Sequence, residues 1–106
     1  MNRYEGERTG KGPIVTVNGA PLNARLDLRT HNSTEFEWGC CGSGSAQLAL
    51  AILADHLGDD EQALRYYQRF KWSVIAQLAP KRWVLTGREV HEALQRIRDH
   101  DDGGDE

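Results

Sequence analysis

The sequence predicts a small α+β domain in which an N-terminal β-hairpin packs on three helices. A β-branched run in residues 13–18 is closed by an Asn-Gly pair, residues 46–57 are almost uninterruptedly apolar, and two later segments carry apolar residues at helical spacing. A helix that is apolar nearly all round belongs in the middle of a domain. We therefore expect the helix at about 45–57 to be the buried centre.

The first two strands are expected at roughly 3–8 and 13–18, with a glycine-rich turn between them. Ile14-Val15-Thr16-Val17 is the strongest strand candidate because β-branched residues fit a pleated sheet. Asn18-Gly19 predicts a further tight turn into Ala20-Pro21-Leu22. Two strands alone are marginal in water, so this hairpin must lie on the helices.

The segment before the first helix is expected to send apolar side chains into the core. An extended segment or one irregular turn can bury Leu22, Leu26 and Leu28. The two aromatic residues of Phe36-Glu37-Trp38 share one face of an extended chain and are expected in the core. We expect Glu37 to be solvated or hydrogen-bonded to loop amides, and residues 31–34 to form a loop.

The second helix is expected to run without a break from Asp60 to Leu78. Asp59 supplies an N-cap, and Gly58 ends the first helix, so the two helices should form a side-by-side hairpin. The apolar positions that recur at steps of three and four are Ala63, Tyr67, Phe70, Val74 and Leu78.

The C-terminal part predicts a short strand and a third helix. Trp83-Val84-Leu85 is the strand candidate, and Thr86 followed by Glu89 matches a capping box. An amphipathic helix of about 87–98 follows. We expect residues 1–98 to form a single globular domain and residues 99–106 to form a disordered acidic tail.

Charge and composition exclude several classes of protein. The 106 residues carry a net charge of −3, and five of the 16 acids lie in the last eight residues. The remaining body is only mildly positive, which is not the basic footprint of a nucleic-acid-binding protein. No apolar run reaches the ~20 residues of a membrane span, and the N-terminus lacks an apolar leader segment. We expect a cytoplasmic protein without a membrane partner.

No catalytic or metal-binding signature is legible in the chain. His31, His56 and His91 do not have metal-ligand spacing, and the adjacent Cys40 and Cys41 are expected to be reduced, partly buried thiols. We therefore expect no metal, no cofactor and no enzymatic activity.

The first candidate site is the glycine-rich loop 39–45 before the central helix. Free amides and the helix dipole favour an anion at such a place, so a loop made of Gly42, Ser43, Gly44 and Ser45 is a candidate for nucleotide or nucleic-acid binding. The chain lacks the Lys-Ser/Thr pair of the phosphate-loop signature. The alternative is a structural turn capped by Ser43 or Ser45.

The second candidate site is the outward face of the second helix. Arg65, Gln68, Arg69 and Trp72 fall opposite its apolar stripe. An exposed tryptophan beside two arginines is typical of a protein-binding hot spot, and also of a stacking surface for nucleic acid. Packing of Trp72 over the hairpin or the Pro80 turn is the structural alternative.

Residues 36–51, Phe-Glu-Trp-Gly-Cys-Cys-Gly-Ser-Gly-Ser-Ala-Gln-Leu-Ala-Leu-Ala, resemble the shared motif of a small, widespread family of unknown function. Its members are short bacterial and archaeal proteins, often on phages and other mobile elements. Cys40 replaces an aromatic residue of that motif and Ser45 replaces a proline. The resemblance covers most of residues 3–95 and implies no catalytic residues.

Together these observations favour a non-enzymatic interaction protein that binds an unidentified protein partner through the second helix. The resemblance implies an accessory protein of a phage or mobile element that inhibits a host defence or another protein complex. Nucleic acid is the less favoured partner, and the alternative function is a nucleotide- or nucleic-acid-binding module that uses loop 39–45.

Overall fold

A computed structural model describes residues 2–30, 35–40 and 42–103, with side chains through His100. The predicted α+β class is confirmed. The elements in chain order are β1 (Arg3–Thr9), β2 (Gly12–Val17), β3 (Ala20–Pro21), α1 (Ser43–Leu57), α2 (Asp60–Ser73), a 3₁₀ turn (Ile75–Gln77), β4 (Arg82–Thr86) and α3 (Gly87–Gly103). The loop predicted at 31–34, which includes His31, lies outside the described residues, as does Cys41.

The strands form one antiparallel sheet in the order β3-β2-β1-β4. The predicted hairpin is confirmed, with Tyr4 opposite Val17. Asn18 and Gly19 have φ angles of 52° and 86°, as a tight turn with two left-handed residues requires. This turn returns the chain into β3, and β4 joins the other side of β1 to complete the sheet.

Helix α1 is the buried centre of the domain, as predicted. Every residue from Gly44 to Ala54 is buried. The one long polar side chain in this buried stretch, Gln47, donates a hydrogen bond to the Ala24 carbonyl at 2.6 Å, which gives the amide a partner inside the core. The helix begins two residues before the expected position 45 and ends at Gly58, whose φ of 62° is left-handed.

Helix α2 ends at Ser73, so the predicted continuous helix to Leu78 is wrong. Val74 has a φ of −121°, and the chain then tightens into the 3₁₀ turn. Ile75 is fully buried, and its carbonyl accepts a hydrogen bond from the Gly39 amide at 2.9 Å. Val74 and Ile75 are consecutive β-branched residues, which weaken a helix. The 3₁₀ turn still directs Ile75 into the core, and its hydrogen bond to Gly39 fixes the loop before α1.

Both later helix starts are capped as the sequence predicts. Asp59 accepts a hydrogen bond from the Gln62 amide at 3.1 Å. Thr86 Oγ1 accepts from the Glu89 amide at 3.2 Å, while the Glu89 carboxylate accepts from the Thr86 amide at 2.9 Å. This reciprocal pair is a capping box, and it fixes the junction between β4 and α3.

The C-terminal helix is longer than the expected 87–98, because helical backbone continues to Gly103. The first residues of the predicted tail 99–106 thus belong to α3, and residues 104–106 lie outside the described part. The division into a domain at 1–98 and a disordered tail stays a prediction. None of the helices in the described ranges is long and apolar enough to cross a membrane.

Aromatic side chains join the sheet to the loop before α1. Trp38 and Trp83 meet edge to face, with ring centroids 5.6 Å apart. Trp38 is buried as predicted, whereas Phe36 is only half-buried. Glu37, whose side chain is 39% exposed, forms a 2.7 Å ion pair with Arg8, and the Arg8 guanidinium also lies 4.6 Å from the Trp38 ring centroid.

The segment after β3 buries fewer apolar side chains than expected. Leu22 is buried and Leu28 packs on the core, but Leu26 is 52% exposed. Arg25 explains the difference, since it has a left-handed φ of 54° and forms a 2.9 Å ion pair with Asp60 at the start of α2. This strained turn directs Leu26 outward.

Candidate functional site

The four residues predicted to form the outward face of α2 are all exposed: Arg65, Gln68, Arg69 and Trp72. Trp72 is 58% exposed, whereas the other two tryptophans are almost fully buried. The structural alternative, in which Trp72 covers the hairpin or the Pro80 turn, therefore does not apply. Lys71 lies under the indole with its ammonium 5.1 Å from the ring centroid, and this contact restrains the ring.

A groove of about 400 Å³ lies between α2 and α3, and we call it the α2–α3 groove. It is lined by Arg69, Trp72, Ser73, Ala93, Arg96, Ile97 and His100. Half of the predicted face thus forms one wall of the groove, whereas Arg65 and Gln68 lie outside it. The sequence analysis missed the α3 wall, although Arg96 and His100 stand four residues apart beside the apolar stripe of that helix.

The α2–α3 groove combines an apolar floor with a basic rim. Ala93 and Ile97 are 3% and 6% exposed, so they form the floor as part of the core. Arg69 and Arg96 stand on opposite walls, and no acidic residue is among the described residues that line the groove. Such a surface favours a ligand with an apolar or aromatic anchor and negative charge around it.

Cation–π contacts hold the two walls of the groove together. The Tyr66 ring of α2 has the Arg65 guanidinium 5.3 Å from its centroid and the Arg98 guanidinium of α3 at 5.4 Å. Tyr66 is buried, and such contacts between helices oppose their separation. Arg98 therefore helps to set the spacing of the groove walls, whereas Arg65 contacts Tyr66 from the same helix.

The glycine-rich loop is a packed helix start. Gly42 is the N-cap residue of α1, and Ser43 and Ser45 lie inside the helix, so the predicted capping by Ser43 or Ser45 is wrong. Gly44 and Ser45 are buried in the first turn, and a Cβ at Gly44 would lie 2.8 Å from the Glu37 side chain. Gly44 thus serves close packing against residues 35–37, and anion binding by the loop stays a prediction.

Cys40 is an exposed free thiol, so its predicted partial burial is wrong. Its Sγ lies 3.4 Å from Ser45 Oγ. The Gly42 backbone N–H and the Ser45 hydroxyl both favour the thiolate and hold the pKa of Cys40 below its usual value. This thiol is therefore a chemically reactive position at the start of α1.

The histidines do not assemble a metal site in the described part of the chain, where no group of three or more His, Cys, Asp or Glu residues could hold an ion. Burial lowers the pKa of His56, and the charges of His91 and Arg98 lower it further. The negative end of the α1 dipole favours a protonated ring at this position, but burial and the neighbouring charges favour the neutral one.

The chain is thus a small α+β domain with a basic groove between two helices. Residues 4–96 match the family described as "Family of unknown function (DUF6166)", and the chain belongs to that family. The matched region runs from β1 to Arg96 in the α3 wall of the groove. Neither a curated protein nor a solved structure matches the chain.

Proposed function

We propose that this chain is a non-enzymatic, cytoplasmic interaction protein that binds a partner protein through the α2–α3 groove. The observation that carries the proposal is the 58% exposure of Trp72 at a groove with an arginine on each wall. Tryptophan and arginine dominate the residues that contribute most binding energy in protein interfaces. The apolar floor supplies the pocket that such an interface needs at its centre.

The chemistry of the groove defines the partner segment. The apolar floor and the Trp72 indole accept an aromatic or branched aliphatic anchor, while Arg69 and Arg96 pair with carboxylates on either side of it. The partner segment is therefore acidic with an apolar centre. Its biological role, as an inhibitor encoded by a phage or mobile element, rests on the family resemblance alone.

The test is quantitative affinity capture from lysate with two groove variants and one matched control. Trp72→Ala removes the anchor surface, and Arg96→Glu reverses one charge on the rim. Arg88→Glu makes the same charge change on α3 at a side chain that is 80% exposed and does not line the groove. Both groove variants should lose the partner by roughly 30-fold in affinity, the effect of a hot-spot residue, and Arg88→Glu should retain it.

Equal recovery by all four proteins would contradict the proposal. The partner, once identified, should bind more weakly as salt is added, because carboxylate–arginine pairs at a rim are screened. Single-stranded DNA and RNA serve as comparison ligands in the same measurement. Binding of nucleic acid that Arg69→Glu abolishes would instead indicate that the α2–α3 groove binds nucleic acid.

A further inference from the structure

The sheet ends at β4, which has no strand on its far side in the described part of the chain. Two hydrogen bonds fix how β4 pairs with β1: the Arg8 amide donates to the Lys81 carbonyl at 3.0 Å, and the Gly87 amide donates to the Asn2 carbonyl at 2.6 Å. Directly opposite residues in antiparallel strands alternate between bonded and non-bonded pairs. The odd-numbered residues of β4 therefore bond to β1.

The even-numbered residues of β4 point their backbone groups away from the sheet. At Thr86 this direction is seen directly, because its amide donates to the Glu89 carboxylate at 2.9 Å. Arg82 and Val84 keep outward N–H groups and outward carbonyls, whereas Thr86 is the N-cap of α3 and its carbonyl belongs to the first turn of that helix. These groups form a template for one added antiparallel strand.

The opposite edge of the sheet lacks such a template. The Leu22 amide donates to the Val15 carbonyl at 3.1 Å, so the odd-numbered residues of β2 direct their backbone groups away from β1. Pro13 is one of these residues, and it lies beyond the end of β3. Pro21 faces away from β2 for the same reason of alternation. Both outward strand positions at this edge are prolines, which have no N–H to donate.

The free edge of β4 is complementary to itself. In an antiparallel pair of two β4 strands centred on Trp83, the N–H and carbonyl of Val84 in each copy face the carbonyl and N–H of Arg82 in the other. The Val84 side chain, 40% exposed in one copy, would lie opposite Arg82 of the second copy, so no like charges are placed face to face.

We propose that two copies of this chain pair antiparallel through β4 and form one continuous sheet. The proposal is independent of the groove and of its partner. A five-residue strand is roughly 17 Å long, and its pairing buries less than the ~1,000 Å² typical of stable complexes. The dimer is accordingly weak and depends on protein concentration.

Sedimentation velocity over a concentration series tests the pairing. The wild-type protein should shift from monomer to dimer as concentration rises. Val84→Pro removes an outward N–H without removing a bond to β1, and it should remain monomeric over the same series. The matched control is Ile14→Lys, because Ile14 is 51% exposed on the same face of the sheet but lies on β2; it should dimerise like wild type.

Amide hydrogen exchange of the wild-type protein provides a second test that does not depend on a variant. Protection of the Arg82 and Val84 amides should rise with protein concentration, whereas the Trp83 and Leu85 amides should be protected throughout. A wild-type protein that stays monomeric overturns the proposal. So does unchanged exchange at Arg82 and Val84, or a dimer that Ile14→Lys abolishes, which would indicate face-to-face packing.

Discussion

The Trp83 indole fills the space that a side chain at Gly6 would occupy. The two residues lie opposite each other on β4 and β1, and an ideal Cβ on Gly6 would overlap the indole ring. The Trp83 Nε1–H is buried without a hydrogen-bond partner in the described part of the chain. Packing, rather than a hydrogen bond, holds the ring against the sheet.

Replacement of Gly6 by alanine should therefore destabilise the protein. The added methyl group must displace Trp83 from the core, and overpacking of this kind costs about 1–3 kcal/mol. The free energy of unfolding from urea denaturation measures the effect. Gly10→Ala is the matched control, since a Cβ there meets nothing within 4 Å. Equal stabilities of the two variants would show that the ring yields without cost.

Trp72→Ala should leave the stability almost unchanged, within about 0.5–1 kcal/mol, because most of the indole is already in water. Trp38→Ala removes a ring that is 2% exposed and should cost about 3–5 kcal/mol. Thermal and urea unfolding of both variants check this contrast. A large loss for Trp72→Ala would mean that any binding defect of that variant reflects unfolding.

Thr86→Ala should destabilise the start of α3 by about 1 kcal/mol, the usual cost of losing an N-cap hydroxyl. The Glu89 amide loses its acceptor, while the Glu89 carboxylate still bonds to the Thr86 backbone. Thr86→Ser retains the hydroxyl and should recover most of the loss. Urea denaturation distinguishes the variants, and equal destabilisation by both would assign the effect to the methyl group instead.

The His56 ring makes stability depend on pH below neutrality. Burial lowers its pKa in the folded state from the ordinary value of 6.5, so between the two values the unfolded chain binds more protons. The contribution of His56 to the free energy of unfolding is thus complete above pH 6.5, and it is lost as the pH falls through the folded-state pKa. Among the groups that face the ring, His91 and Arg98 reinforce this shift and Asp55 opposes it.

Replacement of His56 by glutamine should reduce the fall in the free energy of unfolding on acidification, relative to wild type. Urea titrations above and below pH 6.5 measure the difference. Gln77→Ala, at an exposed position of the 3₁₀ turn, is the comparison variant. Identical pH profiles for wild type and His56→Gln would assign the acid sensitivity to other groups.

Cys40 should react with alkylating reagents at a lower pH than an ordinary thiol. The Gly42 amide contributes most to the lowered pKa, and the Ser45 hydroxyl adds to it. In a Cys41→Ser background, Ser45→Ala should move the midpoint of the alkylation rate toward higher pH. A midpoint at or above about 8.5, the value of a free cysteine, would show that neither contact stabilises the thiolate.

Local patterns predicted most of the fold because each had a local physical cause. The hairpin follows from β-branched residues and the Asn18-Gly19 turn, and both caps follow from side chains three residues from their target amides. The break after Ser73 could not be read from spacing, because a hydrogen bond from distant Gly39 helps to fix it. Apolar periodicity alone does not distinguish a continuing helix from a tighter turn.

The candidate site was predictable on one side only. Trp72 and Arg69 lie opposite a clear apolar stripe, so their exposure followed from the period of one helix. The α3 wall depends on how two helices pack, and contacts between elements such as that of Arg98 with Tyr66 cannot be read from the period of one helix. The predicted burial of Leu26 was wrong for a similar reason, because the left-handed backbone of Arg25 turns this side chain outward.

The prolines at positions 13 and 21 also limit how far molecules of this chain can join through their sheets. Fibril growth by strand addition requires every molecule to offer a donor edge on both sides. Within the described residues each molecule offers only β4, so one pairing leaves neither copy with a further donor edge. Association of the folded protein through its sheet is therefore self-terminating, and concentrated solutions should not seed fibrils from the native state.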